Sequence, residues 1–97
     1  LPRHGQIGVI YVDSREAWIV THDRSPHAPK GTGDLLTAVY TASRLRGARV
    51  RDALEFATAA TVSVVMRANE WNSLELPVVA AASVLQKPLI TLQAQPL

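Results

Sequence analysis

"GTGDLLTAVYTASRLRGARVRDALEFATAATVSVV", residues 31–65, holds two helical patterns joined by a glycine turn. From Asp34 onward, Leu35, Leu36, Ala38, Val39, Ala42 and Leu45 recur at three- and four-residue spacing. That period predicts an amphipathic helix, with Gly47 suited to its C-terminal cap. A second helix is predicted from about Arg51 to Ala68, with Ala53, Leu54, Ala57, Ala60, Thr61, Val64 and Val65 along one stripe. Its alanines permit close approach to a neighbouring element.

On the N-terminal side, "QIGVIYVDSREAWIVTH" contains two runs rich in Ile, Val, Tyr and Trp, separated by the turn-forming Asp13, Ser14 and Arg15. It predicts a β-hairpin. Ile7, Val9 and Tyr11 alternate with Ile10 and Val12, so the first strand is expected to be covered on both faces. "DRSPHAP" then crosses a loop to the glycines. On the C-terminal side "NEWNSLELP" breaks the helical pattern, "VVAAASVLQ" resumes a short helix, and "LITLQAQPL" is expected to end the chain as a strand. The order is that of an α/β layer with too few strands for a full sheet. Together with the non-methionine Leu1, this suggests that residues 1–97 are the C-terminal segment of a longer α/β protein.

Ninety-seven residues suit one small domain or a piece of a larger one. With 47% hydrophobic residues but only two Trp, two Tyr and one Phe, the core must be built from Ala, Val and Leu. Cysteine is absent, which excludes disulfides, thiolate metal sites and cysteine nucleophiles. No apolar run approaches the roughly 18–20 residues of a spanning helix, and the start lacks a secretion signal's layout, so a soluble, cytoplasmic protein is expected. Net charge is +2, with Arg44, Arg46, Arg49 and Arg51 crowded into "RLRGARVR". Without interleaved aromatics this cluster reads as a solvated turn, and no nucleic-acid partner is expected.

The chemistry sits in "KGTGD", residues 30–34. The first N–H groups of a helix lack intrahelical partners, and the aligned peptide dipoles place about half a positive charge there. Gly31 and Gly33 would let the backbone approach a phosphate, with the Thr32 N–H between them. Asp34 repels phosphate at this range, so its use there would be as a base: it would take a proton from an attacking hydroxyl while the amides hold the transferred phosphoryl group. The plainer alternative stays open, since Asp favours helix starts and Gly-rich loops also simply turn the chain. Neither a Walker loop nor a G-x-G-x-x-G fingerprint is present.

The whole stretch from Gly31 to Val65 resembles the C-terminal signature of the ribokinase-like superfamily, where a G-x-G-D loop opens a helix, a glycine turn follows and an alanine-rich helix comes next. Within it, "KGTGDLL", "ELPVVAAASVLQKP" and "LITLQAQPL" look like the pyridoxal kinases, over nearly the whole chain. The resemblance implies part of a three-layer α/β/α fold, and a cytoplasmic enzyme that uses ATP and Mg²⁺ to phosphorylate the 5′-hydroxymethyl group of pyridoxal. It implies Asp34 as the catalytic base at the substrate and Gly31, Thr32 and Gly33 as the anion hole. It also implies ATP contacts at His22, Asp23, Arg24, Ser25, Thr32 and Gly33. Metal ligands, most of the substrate pocket and the contacts of a parent homodimer would lie outside this chain, which should be inactive alone. Two competitors remain: another ribokinase-like kinase acting on a sugar, nucleoside or hydroxymethylpyrimidine, and a non-catalytic nucleotide-binding or interaction domain.

Other residues carry weaker signals. His4, His22 and His27 lack partner carboxylates at metal-ligand spacing and are expected to face solvent. Trp18 and Trp71 are expected to pack rather than to stack on a base. Ala57, Ala60 and Thr61 fall where the resembling family has one wall of its adenine pocket.

Overall fold

The computed structural model describes residues 2–26, 29–72 and 77–97. A β-hairpin is built from β1 (Gln6–Val12) and β2 (Ala17–Asp23), paired antiparallel from Gln6↔Asp23 to Val12↔Ala17. The turn is held by Asp13, whose Oδ1 accepts the main-chain N–H groups of Arg15 at 2.7 Å and Glu16 at 2.8 Å. Its Oδ2 accepts the Tyr11 hydroxyl at 2.7 Å. These bonds favour the charged carboxylate: the Tyr11 hydroxyl first, then the two amides, lower Asp13 below its ordinary 3.8, and the same contact raises Tyr11 above 10.0.

The sign of the pH dependence follows from the two directions. A depressed carboxylate contributes stability above its unfolded value and loses it as pH falls through the folded one; a raised phenol loses its contribution as pH climbs through its own raised value. The hairpin is therefore expected to hold between about pH 4 and pH 10 and to weaken on either side. In Asp13→Asn the acid limb of a stability-against-pH curve should flatten relative to the parent; an unchanged slope below pH 4 would reject the role given to this carboxylate.

Two long helices follow, α1 (Thr32–Leu45) and α2 (Val50–Glu70), then a one-turn α3 (Ala82–Gln86). Gly47, at φ 97°, turns the chain between α1 and α2, while its N–H donates to Arg44 O at 3.0 Å and the Ala48 N–H to Ser43 O at 3.1 Å. This is the left-handed helix end that glycine adopts without a Cβ penalty. Arg44 donates from Nη1 to Ala48 O at 3.0 Å, and Arg51 sits 5.3 Å from the centre of the Trp18 ring. Two members of the arginine cluster thus brace the turn and the sheet.

The helices cover one face of the sheet. Val20, Leu54 and Ala94 form a buried cluster with Val9, Tyr11, Trp18, Tyr40 and Leu92 packed around it, and Val64, Ala81 and Val84 form a second with Leu35 and Leu85. Helix α2 is buried on most of its circumference, because α1, the sheet, α3 and the C-terminal segment all lean on it. Two side chains of α2 pin that last segment. The Ser63 hydroxyl donates to Ala59 O at 2.7 Å and accepts the Leu89 N–H at 2.9 Å, while Glu55 Oε2 accepts the Ala94 N–H at 2.6 Å.

Several expectations need correction. The closing strand shrinks to β3 (Gln95–Pro96), antiparallel to β2 at Trp18 and Ile19; the prolines at 88 and 96 and the side-chain tethers from α2 hold residues 88–94 outside the ladder. The sheet order is β1-β2-β3, with β1 at the rim. Among the described residues β1 is not covered on both faces: Ile10 is 55% and Val12 66% exposed on the face away from the helices. No residue of α1 is fully buried either, and Leu45 at its end is 84% exposed. Trp71 caps the C-terminus of α2 half-exposed rather than packing in the core. His27, and Ser73 to Leu76 of the "NEWNSLELP" break and the quoted "ELP", lie outside the described residues.

Candidate functional site

Gly31 caps the N-terminus of α1 at φ 91° and ψ 0°, a left-handed conformation that costs other residues about 1–2 kcal/mol. The Thr32 hydroxyl donates back to Pro29 O at 2.8 Å and the Thr37 hydroxyl to Gly33 O at 3.0 Å, which tightens the first turn. The first intrahelical bond runs from the Leu35 N–H to Gly31 O at 3.0 Å. Among the described residues no hydrogen bond engages the main-chain N–H groups of Thr32, Gly33 and Asp34. A Cβ built on Gly33 would meet nothing within 4 Å. Packing therefore does not demand glycine there; the space beside it is open.

Asp34 lies in the first turn of α1, exposed, and its carboxylate has no hydrogen-bond or ion-pair partner among the described residues. It is held by backbone alone, free to meet a group arriving from solvent.

Thr32 and Gly33 open onto a cavity of about 230 Å³ between the hairpin and the helices. Ile7 and Val9 of β1 supply one wall, Leu36 of α1 another, and Thr58, Thr61, Val62 and Val65 of α2 the third. His22, Arg24 and Ser25, at and beyond the end of β2, line the remaining side. Asp23, between them, is exposed and is not among the lining residues, since alternation along the strand sends it to the other face. His22 has Nδ1 3.0 Å from Asp23 O, which fixes its ring at the rim. Among the described residues, no three or more His, Asp and Glu cluster as a metal site, and no helix is long and apolar enough to cross a membrane.

On α2 the structure divides the expected wall. Ala57 and Ala60 are fully buried in the core and do not line the cavity, whereas Thr61 does, together with Thr58, Val62 and Val65. These four fall at i, i+3, i+4 and i+7, so the periodicity contained them, shifted by one position from the alanine stripe. Thr58 is 1% and Thr61 5% exposed, and both hydroxyl oxygens lack a partner among the described residues.

No family model matches the chain. Pyridoxal kinase PdxY of Burkholderia mallei is 36% identical over 85 residues, 86% of this chain and 30% of the relative. The Proteus mirabilis enzyme of the same name is 30% identical over 89 residues, 89% of this chain and 31% of its own. The chain thus spans about a third of the length of the curated relatives it matches. Pyridoxal kinase from Entamoeba histolytica superposes with a TM-score of 0.83 at 14% identity, over 100% of this chain and 36% of its own. The Leishmania donovani pyridoxal kinase in complex with ADP and pyridoxine gives 0.77 at 19% identity, over 95% and 32%. A phosphomethylpyrimidine kinase assignment from Bacteroides thetaiotaomicron gives 0.84 at 23%, over 99% and 35%. In sequence over 86% of its length, and in fold over nearly all of it, this chain is homologous to part of the pyridoxal kinases and carries a ribokinase-like α/β fold.

Proposed function

We propose that the polypeptide carrying this chain transfers the γ-phosphoryl group of ATP to the 5′-hydroxymethyl group of pyridoxal. Asp34 takes the proton of the hydroxyl as its oxygen attacks phosphorus; the bond to the bridging oxygen breaks, and ADP leaves with that oxygen's charge. The main-chain N–H groups of Gly31, Thr32 and Gly33, at the positive end of α1, stabilise charge on the phosphoryl oxygens in flight. The observation that carries this reading is the pairing of an exposed, unpartnered carboxylate with a turn whose amides have no internal partner. Homologous kinases over most of the chain, and ADP with pyridoxine in a related fold, support the substrate pair.

In this reading ATP lies along the cavity, with its phosphates at Thr32 and Gly33 and its nucleoside toward His22, Arg24 and Ser25. Asp23, turned outward, would reach the nucleotide only if the segment after β2 rearranged. The described residues offer no cluster fit for Mg²⁺, so its ligands are assigned to the rest of the polypeptide and no step is routed through it. The same reading makes the parent a cytoplasmic homodimer, paired through parts outside this chain, which is inactive by itself.

The likeness to the Bacteroides phosphomethylpyrimidine kinase assignment favours one second reading, a hydroxymethylpyrimidine as acceptor. Assay of the complete polypeptide with ATP against pyridoxal, pyridoxine, ribose, a nucleoside and hydroxymethylpyrimidine separates them. The highest kcat/KM is expected for pyridoxal. Turnover of another acceptor with none of pyridoxal overturns the vitamin assignment.

A further inference from the structure

Four arginines stand at the turn between α1 and α2, and in residue order no aromatic side chain falls among them. The fold brings one to them from β2. Arg44, Arg49 and Arg51 line a surface cleft of about 410 Å³ together with Glu16, Trp18 and Val50, while Arg46 stays outside it. A cleft of this size is on the scale of a small-molecule site.

Most of the donors on these arginines are uncommitted. Arg44 donates to Ala48 O at 3.0 Å from Nη1 alone, and a guanidinium carries five N–H groups. Arg51 reaches Glu55 Oε2 only at 3.5 Å, from Nε, and lies 5.3 Å from the centre of the Trp18 ring. Arg49 is exposed and has no hydrogen-bond or ion-pair partner among the described residues. The carboxylate that lines the cleft, Glu16, is held by the Trp18 indole N–H at 2.7 Å.

Three guanidiniums against one carboxylate leave the lining with an excess of two positive charges. Cations gathered in one cleft repel one another, and an anion among them relieves that repulsion. A phosphate monoester carries about −1.5 to −2 at pH 7, and its oxygens match the forked donors of guanidinium. The glycine turn is elsewhere: Gly31 caps the start of α1 and Arg44 lies in its last turn, about 20 Å of helix away.

We infer that the cleft of Arg44, Arg49 and Arg51 is an anion site separate from the glycine turn, which takes the phosphoryl group of inorganic phosphate or of a small phosphate ester. A nucleic acid needs phosphate contacts spread along a surface, whereas here the charge is gathered in one cleft that also holds Glu16.

The test titrates the complete polypeptide with inorganic phosphate and with phenyl phosphate, by calorimetry and by thermal shift, in the parent and in Arg49→Gln. Arg49 has no internal partner, so its loss should leave Tm and the KM for ATP unchanged while raising the Kd for both probes about tenfold. The rise in Tm that phosphate gives the parent should shrink with it. Arg51→Gln should weaken both probes similarly, and it carries the test if Arg49→Gln fails to fold. With Arg49 required, tighter binding of phenyl phosphate than of phosphate assigns the site to esters, whose organic part meets Trp18, and equal or weaker binding assigns it to the free ion; both outcomes uphold the site. Phosphate affinities that are the same in the parent and both variants overturn the inference. So does a Kd that shifts in step with that for ATP, which places the effect at the glycine turn. A short oligonucleotide that binds the parent more tightly than either probe, and loses more to Arg49→Gln, also overturns it and makes the cleft a nucleic-acid contact. Phosphoryl transfer enters none of these measurements, so the site stands or falls apart from the proposed kinase activity.

Discussion

Replacing Asp34 with Asn is expected to lower kcat of the complete polypeptide by about 10²–10⁴-fold, the range a positioned general base contributes. ATP affinity and thermal stability should stay close to the parent's. The reason is the position of the carboxylate: exposed, in the first turn of α1, with no partner among the described residues. Removing it breaks no internal bond and leaves no buried group unpaired. The loss of a favourable acid at a helix N-terminus costs only about 0.3–1 kcal/mol. Asparagine keeps the volume and the local backbone, so the amides of the glycine turn remain in place. Steady-state rates, ATP titration and a thermal melt on the same preparation separate the effects. An undiminished kcat removes Asp34 from the reaction, and a fallen Tm with a proportionate loss of rate reassigns it to the fold.

Leu54→Ala should be the most damaging of the simple core truncations, at about 2–5 kcal/mol by urea unfolding. Leu54 is 4% exposed and packs with Val20 of β2 and Ala94 of the C-terminal segment, while Val9, Tyr11, Trp18, Tyr40 and Leu92 surround that cluster. Sheet, both long helices and the tail therefore meet at one side chain. Its neighbours are anchored in different elements, so they cannot all collapse into the space left behind, and much of the cavity term persists. A cost below about 1 kcal/mol would show that the cluster does not join these elements.

The hairpin, both long helices and the glycine turns were legible in residue order, because each is specified locally: alternation in 6–12 and 17–23, helical spacing after Asp34 and after Arg51, glycine where φ is positive. The position of Asp34 beside an open amide turn was legible for the same reason. What was not legible depends on distant partners. Residues 88–94 have strand-forming composition, yet Ser63 and Glu55 claim their amides from 26 and 39 residues away. The cavity wall on α2 was misplaced by one position, because alanines suit a core and a pocket equally, and only the packing of β1 and α1 decides which face of α2 meets which.

The rim strand β1 has a sheet neighbour on one side only, and the other row of its main-chain groups is tied at its start, where the Gln6 N–H donates to Arg3 O at 2.9 Å. Beside that row stand Ile10 and Val12, open to water. Bare ladder groups next to aliphatic side chains form a template for copies of the same strand, with no lysine, proline or bulge within Gln6–Val12 to discourage them. Produced by itself, the 97-residue chain is expected to associate edge to edge in solution. A charge introduced at Ile10 or Val12 is the change that would keep it dispersed.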